Sequence, residues 1–418
     1  MRLWISCRSS VFAGLRGHRP RLYSAVAGNV ERVSISNGSL GDVTIDLHNI
    51  EKLSRKTPLM VYLPPFSTAF TDTPVKLPRF IRQQPTAVVN YRWAGFSPFQ
   101  AKGVNAPAST GASDEGELLP PMSWPTPIQD TILAYDWIVQ NLGPPEHTRR
   151  DIYLYGSYLG ASMAMSIALT ETQPHQRMAV RGCIAFNGIY NWTTFLPDHE
   201  LQKKQITNPY RIPKTILTHK NDFHFRQLER HAEALFVNPN GLFDPFASPC
   251  LFFLSPGLLV PPNFTMSALS PEASLLANIP LKKTSTGKSE VILQHPRETR
   301  LLFPPNNSTL KIPETLLLYT QQPPPPPPLL KMPWEPEEKA YFWDSFHTQA
   351  DRLCTYMRSS IDKSELVGRF KWDDNRDRWL EEAQRRIRIH NVGTTVRDYT
   401  LPCEGEKLAA TWLEDHMS

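Results

Sequence analysis

Apolar and polar positions alternate at two periods along this chain, and the order in which the periods change predicts a layered α/β structure. Val43-Thr44-Ile45-Asp46-Leu47-His48 alternates residue by residue, the pattern of a strand with one face in a core. Leu59-Met60-Val61-Tyr62-Leu63, stopped by Pro64-Pro65, and Thr86-Ala87-Val88-Val89-Asn90-Tyr91 are nearly unbroken apolar runs, as expected of strands buried on both faces. A helix then begins near Pro127 and carries Ile128, Ile132, Leu133, Tyr135, Trp137 and Ile138, a spacing that keeps one face apolar. The strand Ile152-Tyr153-Leu154-Tyr155, a glycine-bracketed turn, a small-residue helix over about 159–171 and the strand Gly182–Phe186 follow. Strands alternating with helices predict a mostly parallel central sheet with helices on both faces.

The second half carries weaker periodicity. Residues 222–236 read as a helix, and 312–319 (Ile-Pro-Glu-Thr-Leu-Leu-Leu-Tyr) as a late core strand. Helices are expected near 337–359 and 375–387, and a final amphipathic one over 404–416. Proline accounts for 40 of the 418 residues, close to twice the usual share of about 5%. Long proline-rich insertions are therefore expected over about 94–123, 255–310 and 320–336 of one domain spanning 24–418. Six consecutive prolines, 323–328, predict a polyproline II spacer.

Charge first suggests a polyanion partner, with a formal net charge of +5. However, Arg2, Arg8, Arg16, Arg19 and Arg21 stand before the first acid, Glu31, and account for the whole surplus. The remainder is neutral, so composition predicts no nucleic-acid-binding face. The arginine-rich, acid-free segment 1–23, with Ser6, Ser9 and Ser10 among bulky apolar residues, has the makings of a mitochondrial presequence and predicts a matrix location. Cys7, Cys183, Cys250, Cys354 and Cys403 are scattered, without metal-ligand spacing, and read as thiols in a reducing compartment. No metal or cofactor signature is present. Shallow membrane contact is a candidate role for Leu251-Phe252-Phe253-Leu254.

The most informative stretch is Tyr153-Leu154-Tyr155-Gly156-Ser157-Tyr158-Leu159-Gly160-Ala161-Ser162-Met163-Ala164. A strand, a Gly-x-x-x-Gly turn and an Ala-rich helix make a nucleophile elbow, whose glycines let strand and helix approach closely. With Leu63-Pro64-Pro65-Phe66, Asn90-Tyr91-Arg92 and Pro127-Ile128-Gln129-Asp130 in their order, the chain resembles the α/β-hydrolase fold, and within it the hormone-sensitive-lipase-like esterases. The resemblance is strong over about 40–195 and loose over 310–418. It implies a carboxylic-ester hydrolase with a serine at the elbow, an oxyanion loop after the first buried strand, an acid after the late strand and a histidine in a loop near the C-terminus.

Each catalytic part departs from that pattern. Tyr158 stands where the nucleophile belongs, and Pro64 and Pro65, in the oxyanion loop, have no N–H to offer. Thr320-Gln321-Gln322 follows the late strand in place of the acid, and His390, between Ile389 and Asn391, is the candidate histidine. Candidate catalytic residues are thus Ser157 as a displaced nucleophile, Tyr158 as nucleophile or acid, and His390; Ser162 resembles an elbow shifted one turn into the helix. Against these stands a Tyr158 that plugs the old pocket. Pro65, Phe66, Asn187 and Trp192 are candidate substrate-binding residues, Asn187, Asn191 and Trp192 at the end of a strand where α/β proteins place ligands. Asp130 reads as a capping or structural carboxylate. Asp222, His224 and His231 read as solvated, as does the charged, Trp-bearing stretch Trp372–Trp379. The expected function is an esterase-like fold with a degenerate site and a binding or scaffolding role, its partner a small-molecule ester or a protein. The alternative is an active ester hydrolase with an atypical nucleophile.

Overall fold

A computed structural model of the protein describes residues 30–93, 122–195, 232–257, 299–321, 345–366, 381–394 and 399–417, apart from a few single positions and pairs within those spans. The three predicted insertions, the polyproline run, Asp222, His224, His231 and Trp372–Trp379 lie wholly or largely outside the described residues, as does segment 1–23.

Eight strands form one sheet: β1 (Val30–Ser36), β2 (Asp42–His48), β3 (Leu59–Leu63), β4 (Thr86–Asn90), β5 (Arg150–Ser157), β6 (Met178–Phe186), β7 (Glu314–Tyr319) and β8 (Ile387–Asn391). Their spatial order is β1-β2-β4-β3-β5-β6-β7-β8. β2 pairs antiparallel to both neighbours, and every pairing from β4 to β8 is parallel. Every residue of β3 and β4 is buried, as their unbroken apolar runs demand of strands covered on both faces. The described helices are α1 (Thr126–Asn141), α2 (Leu159–Glu171), α3 (Phe346–Ser360), the short α4 (Glu382–Arg386) and α5 (Cys403–Met417). Strand order and single reversed strand are those of the α/β-hydrolase fold.

Two strands differ from the sequence expectation. β1 was not anticipated, although Val-Glu-Arg-Val-Ser-Ile-Ser alternates and buries Val33 and Ile35. β8 begins at Ile387, inside the span predicted as helix 375–387, of which α4 covers only Glu382–Arg386. Helix-favouring Glu and Arg dominate that stretch locally, yet pairing with Thr315–Tyr319 of β7 decides the conformation. The apolar run Leu251–Leu254 does not face outward. Leu251, Phe253 and Leu254 are buried, and Phe252 packs on Phe246 and Phe303, so the membrane contact expected of that run is unsupported by its position. Among the described residues no helix is long and apolar enough to cross a membrane.

Candidate functional site

The turn between β5 and α2 keeps the geometry of an elbow. Tyr158 sits at its tip with φ 50° and ψ −115°, a backbone conformation that a bulky side chain adopts only when its surroundings impose it. They do so here. A Cβ on Gly160 would collide with the carbonyls of Leu63 and Pro64, and one on Gly156 with the Gly160 carbonyl and Ala164. The strand and helix therefore meet backbone to backbone, and the Tyr158 N–H is fixed by the Phe186 carbonyl at 2.9 Å.

Around the tip, aromatic rings occupy the space that an acyl group would need. The Tyr158 ring is 1% exposed. Its neighbours are Tyr399 at 5.0 Å, Phe346 at 5.6 Å, Phe186 at 5.9 Å and Phe66 at 6.2 Å between ring centroids. Three of these meet it edge to face, the favoured arrangement of aromatic quadrupoles. Asn187 Nδ2 donates to the Tyr158 hydroxyl at 3.4 Å and to Thr320 Oγ1 at 2.8 Å, while its Oδ1 accepts from the Thr320 N–H at 2.9 Å.

The oxyanion machinery is occupied as well. In an elbow enzyme the N–H of the residue after the nucleophile points at the developing oxyanion. Here that donor, Leu159 N–H, bonds to the Pro65 carbonyl at 3.3 Å. The Pro64 carbonyl accepts from the Tyr91 hydroxyl at 2.7 Å. The loop thus offers carbonyls, and the elbow spends its amide on one of them.

Tyr158, Phe66, Asn187 and the Pro65 carbonyl come together at this point, while the other predicted residues stand apart. Ser157 is buried at the end of β5, where the rings of Tyr62 and Tyr155 stack at 5.1 Å. Burial pushes both phenols far above the usual tyrosine range, so neither serves as a base. Ser162 is buried within α2, its hydroxyl donating to the Leu159 carbonyl at 3.0 Å. His390 is an exposed β8 residue opposite Leu318. This corrects its placement in a C-terminal loop. Tyr399, φ 53°, comes from the segment between β8 and α5 and reaches Tyr158 instead. Trp192 belongs to a separate cluster with Trp93, Phe195 and Phe236. Asn191 closes its own turn, its side chain accepting from Thr193 N–H and hydroxyl. Pro65 contributes its carbonyl, as described.

Asp130 is structural, but not through a cap. Its carboxylate takes Arg92 Nε at 2.9 Å, Arg92 Nη2 at 2.6 Å and the Arg92 N–H at 3.0 Å, and both side chains are buried. This fork ties α1 to the end of β4. Sequence reasoning missed Phe346, Tyr399 and Gln349. Gln349 Oε1, from α3, accepts from the Tyr190 and Asn191 N–H groups at 3.0 and 2.9 Å, fixing the turn after β6. Nothing in local pattern marks these residues, since each reaches the site from a distant part of the chain. Among the described residues no three metal-ligating side chains converge.

No family model matches the chain, and no curated protein matches it. Solved structures similar to it include carboxyl esterase 2 from the fungus Tuber melanosporum, at 11% identity and TM-score 0.44, covering 100% of this chain and 96% of that one. An esterase from the archaeon Pyrobaculum calidifontis is 13% identical with TM-score 0.41, covering 95% and 86%. The Francisella virulence factor BioJ is 10% identical with TM-score 0.40, covering 93% and 85%. The assignment of the fold stands on strand order and elbow geometry.

Proposed function

We propose that this protein is a non-catalytic member of the α/β-hydrolase fold, related to esterases, that acts in the mitochondrial matrix by binding or scaffolding. The observation carrying this reading is the elbow. A buried tyrosine holds the nucleophile's place, and the amide that would stabilise an oxyanion is bonded to Pro65. Acyl transfer needs a nucleophile beside a base and free donors aimed at the oxyanion; among the described residues the tip is a buried phenol and the Leu159 N–H is already bonded. The arginine-rich segment 1–23 supports import.

The test is hydrolysis of short-chain p-nitrophenyl esters by protein lacking residues 1–23, beside Ser157→Ala and Tyr158→Ser. No turnover by the parent is expected, nor by Tyr158→Ser, in which no histidine is restored. Turnover that Ser157→Ala abolishes would overturn the reading in favour of a displaced serine hydrolase.

A further inference from the structure

We propose that two copies of this chain pair through their β1 edges, antiparallel about a two-fold axis at Ser34, joining their sheets into one. β1 and β8 are the edge strands of the sheet, and they are finished differently. On β8 the Ile387 carbonyl takes Arg358 Nε at 3.1 Å and Nη2 at 2.6 Å, and the strand itself carries Arg388. Charged side chains on an edge are among the devices that keep other strands away. The middle of β1 has none left over. It contains no proline, and its register with β2 runs unbroken from Val30 to Ser36, without a bulge. Its one cation, Arg32, is turned onto the buried Asp46 carboxylate at 2.6 and 2.9 Å. The remaining charge, Glu31, stands near the start of the strand.

The hairpin turn fixes which groups face outward. The Asn37 N–H bonds the Gly41 carbonyl at 3.0 Å, and the next pair in that register is Ser36 with Asp42. Opposed residues of an antiparallel ladder alternate between bonded and non-bonded pairs. Ile35, Val33 and Glu31 therefore bond to β2, while the main-chain groups of Arg32, Ser34 and Ser36 point away from it. Among the described residues, the main-chain N–H and carbonyl of Ser34 and Ser36 bond no partner, and Ser36 is exposed. Such a row of free donors and acceptors is a template for a further strand.

The side chains select a second copy and its register. Val33 and Ile35 are buried on one face of β1, and Arg32, Ser34 and Ser36 alternate with them on the other. A two-fold axis at Ser34 sets Val33 opposite the partner's Ile35, Ile35 opposite the partner's Val33, and Arg32 opposite the partner's Ser36. Apolar meets apolar on the core face, and no charge meets its like. An axis at Val33 would set Glu31 against the partner's Ile35, and an axis at Arg32 would oppose two arginines. The same patch serves both copies, as a closed two-fold interface requires.

The experiment is sedimentation velocity of the full chain over a wide range of concentration. The parent is expected to move from monomer to dimer as concentration rises. Ser34→Pro removes an outward N–H while sparing the bonds from β1 to β2, and should leave the protein monomeric throughout. Ser34→Lys sets like charges across the axis and should do the same with an unchanged melting temperature, which separates loss of pairing from loss of fold. His390→Lys, on the opposite edge of the sheet, should dimerise as the parent does. A parent that stays monomeric, a dimer that survives both Ser34 variants, or one lost in His390→Lys would overturn the proposal. None of these outcomes depends on ester turnover, so the two proposals fail separately.

Discussion

The ends of β4 and β5 make an instructive pair. Both occur in the resemblance to esterases, one as the Asn-Tyr-Arg strand end and the other as the elbow. At the end of β4 the charged groups of that pattern are present and joined, Arg92 forked onto Asp130 in a buried site. At the end of β5 only the backbone of the pattern is present. Gly156 and Gly160 permit the close approach and φ at Tyr158 is positive, but the nucleophile's side chain is a packed ring. The difference teaches that the features packing α1 and α2 onto the sheet follow the resemblance at both strand ends, while the side chain at the tip of the elbow departs from it.

The comparison can be broken from either side. Arg92→Ala should have the largest effect, about 3–5 kcal/mol, because it leaves the Asp130 carboxylate buried and unpaired. Urea unfolding measures it, and a loss under about 1 kcal/mol would remove the contrast. Gly160→Ala should cost about 1–3 kcal/mol or more, since the added carbon meets the main chain of Leu63 and Pro64; the same denaturation curves report it. Tyr158→Phe keeps the ring and loses the bond from Asn187, so about 0.5–1.5 kcal/mol is expected. A cost equal to that of Arg92→Ala would mean that the phenol, not the ring, holds the site.

The smallest effect concerns pH and the far end of α5. His416 Nδ1 faces the Trp412 carbonyl at 2.6 Å and Nε2 faces Glu314 at 3.7 Å, with the rings of Trp412 and His416 stacked at 4.2 Å. Both nitrogens face acceptors, and the hydrogen bond to Glu314 leads in raising the imidazole pKa above its ordinary 6.5. A raised folded pKa means stability fully present below pH 6.5 and lost as pH rises through the folded value. A charged histidine at a helix C-terminus contributes about 0.3–1 kcal/mol. Unfolding curves at pH 6 and pH 9 should differ by that amount, and His416→Gln should abolish the difference.

Much of the fold was legible because burial on both faces leaves unbroken apolar runs, as in β3 and β4, and because an elbow needs glycines at fixed offsets. β8 was not legible. As an edge strand it buries Ile387 but leaves His390 and Asn391 exposed, and its Arg-rich approach favours helix locally. Tyr158 as a plug was readable in outline, but not its walls, because Phe66, Phe186, Phe346 and Tyr399 converge from four separate segments.

By itself, then, the sequence determined the parallel core and the elbow, local consequences of hydrophobic period and glycine spacing, and showed a tyrosine at the elbow's tip. Only the tertiary structure decided that Leu159 N–H is bonded to Pro65 and that Tyr399 rather than His390 faces Tyr158. Those facts depend on which distant residues the sheet order brings together, and period and composition carry no record of that.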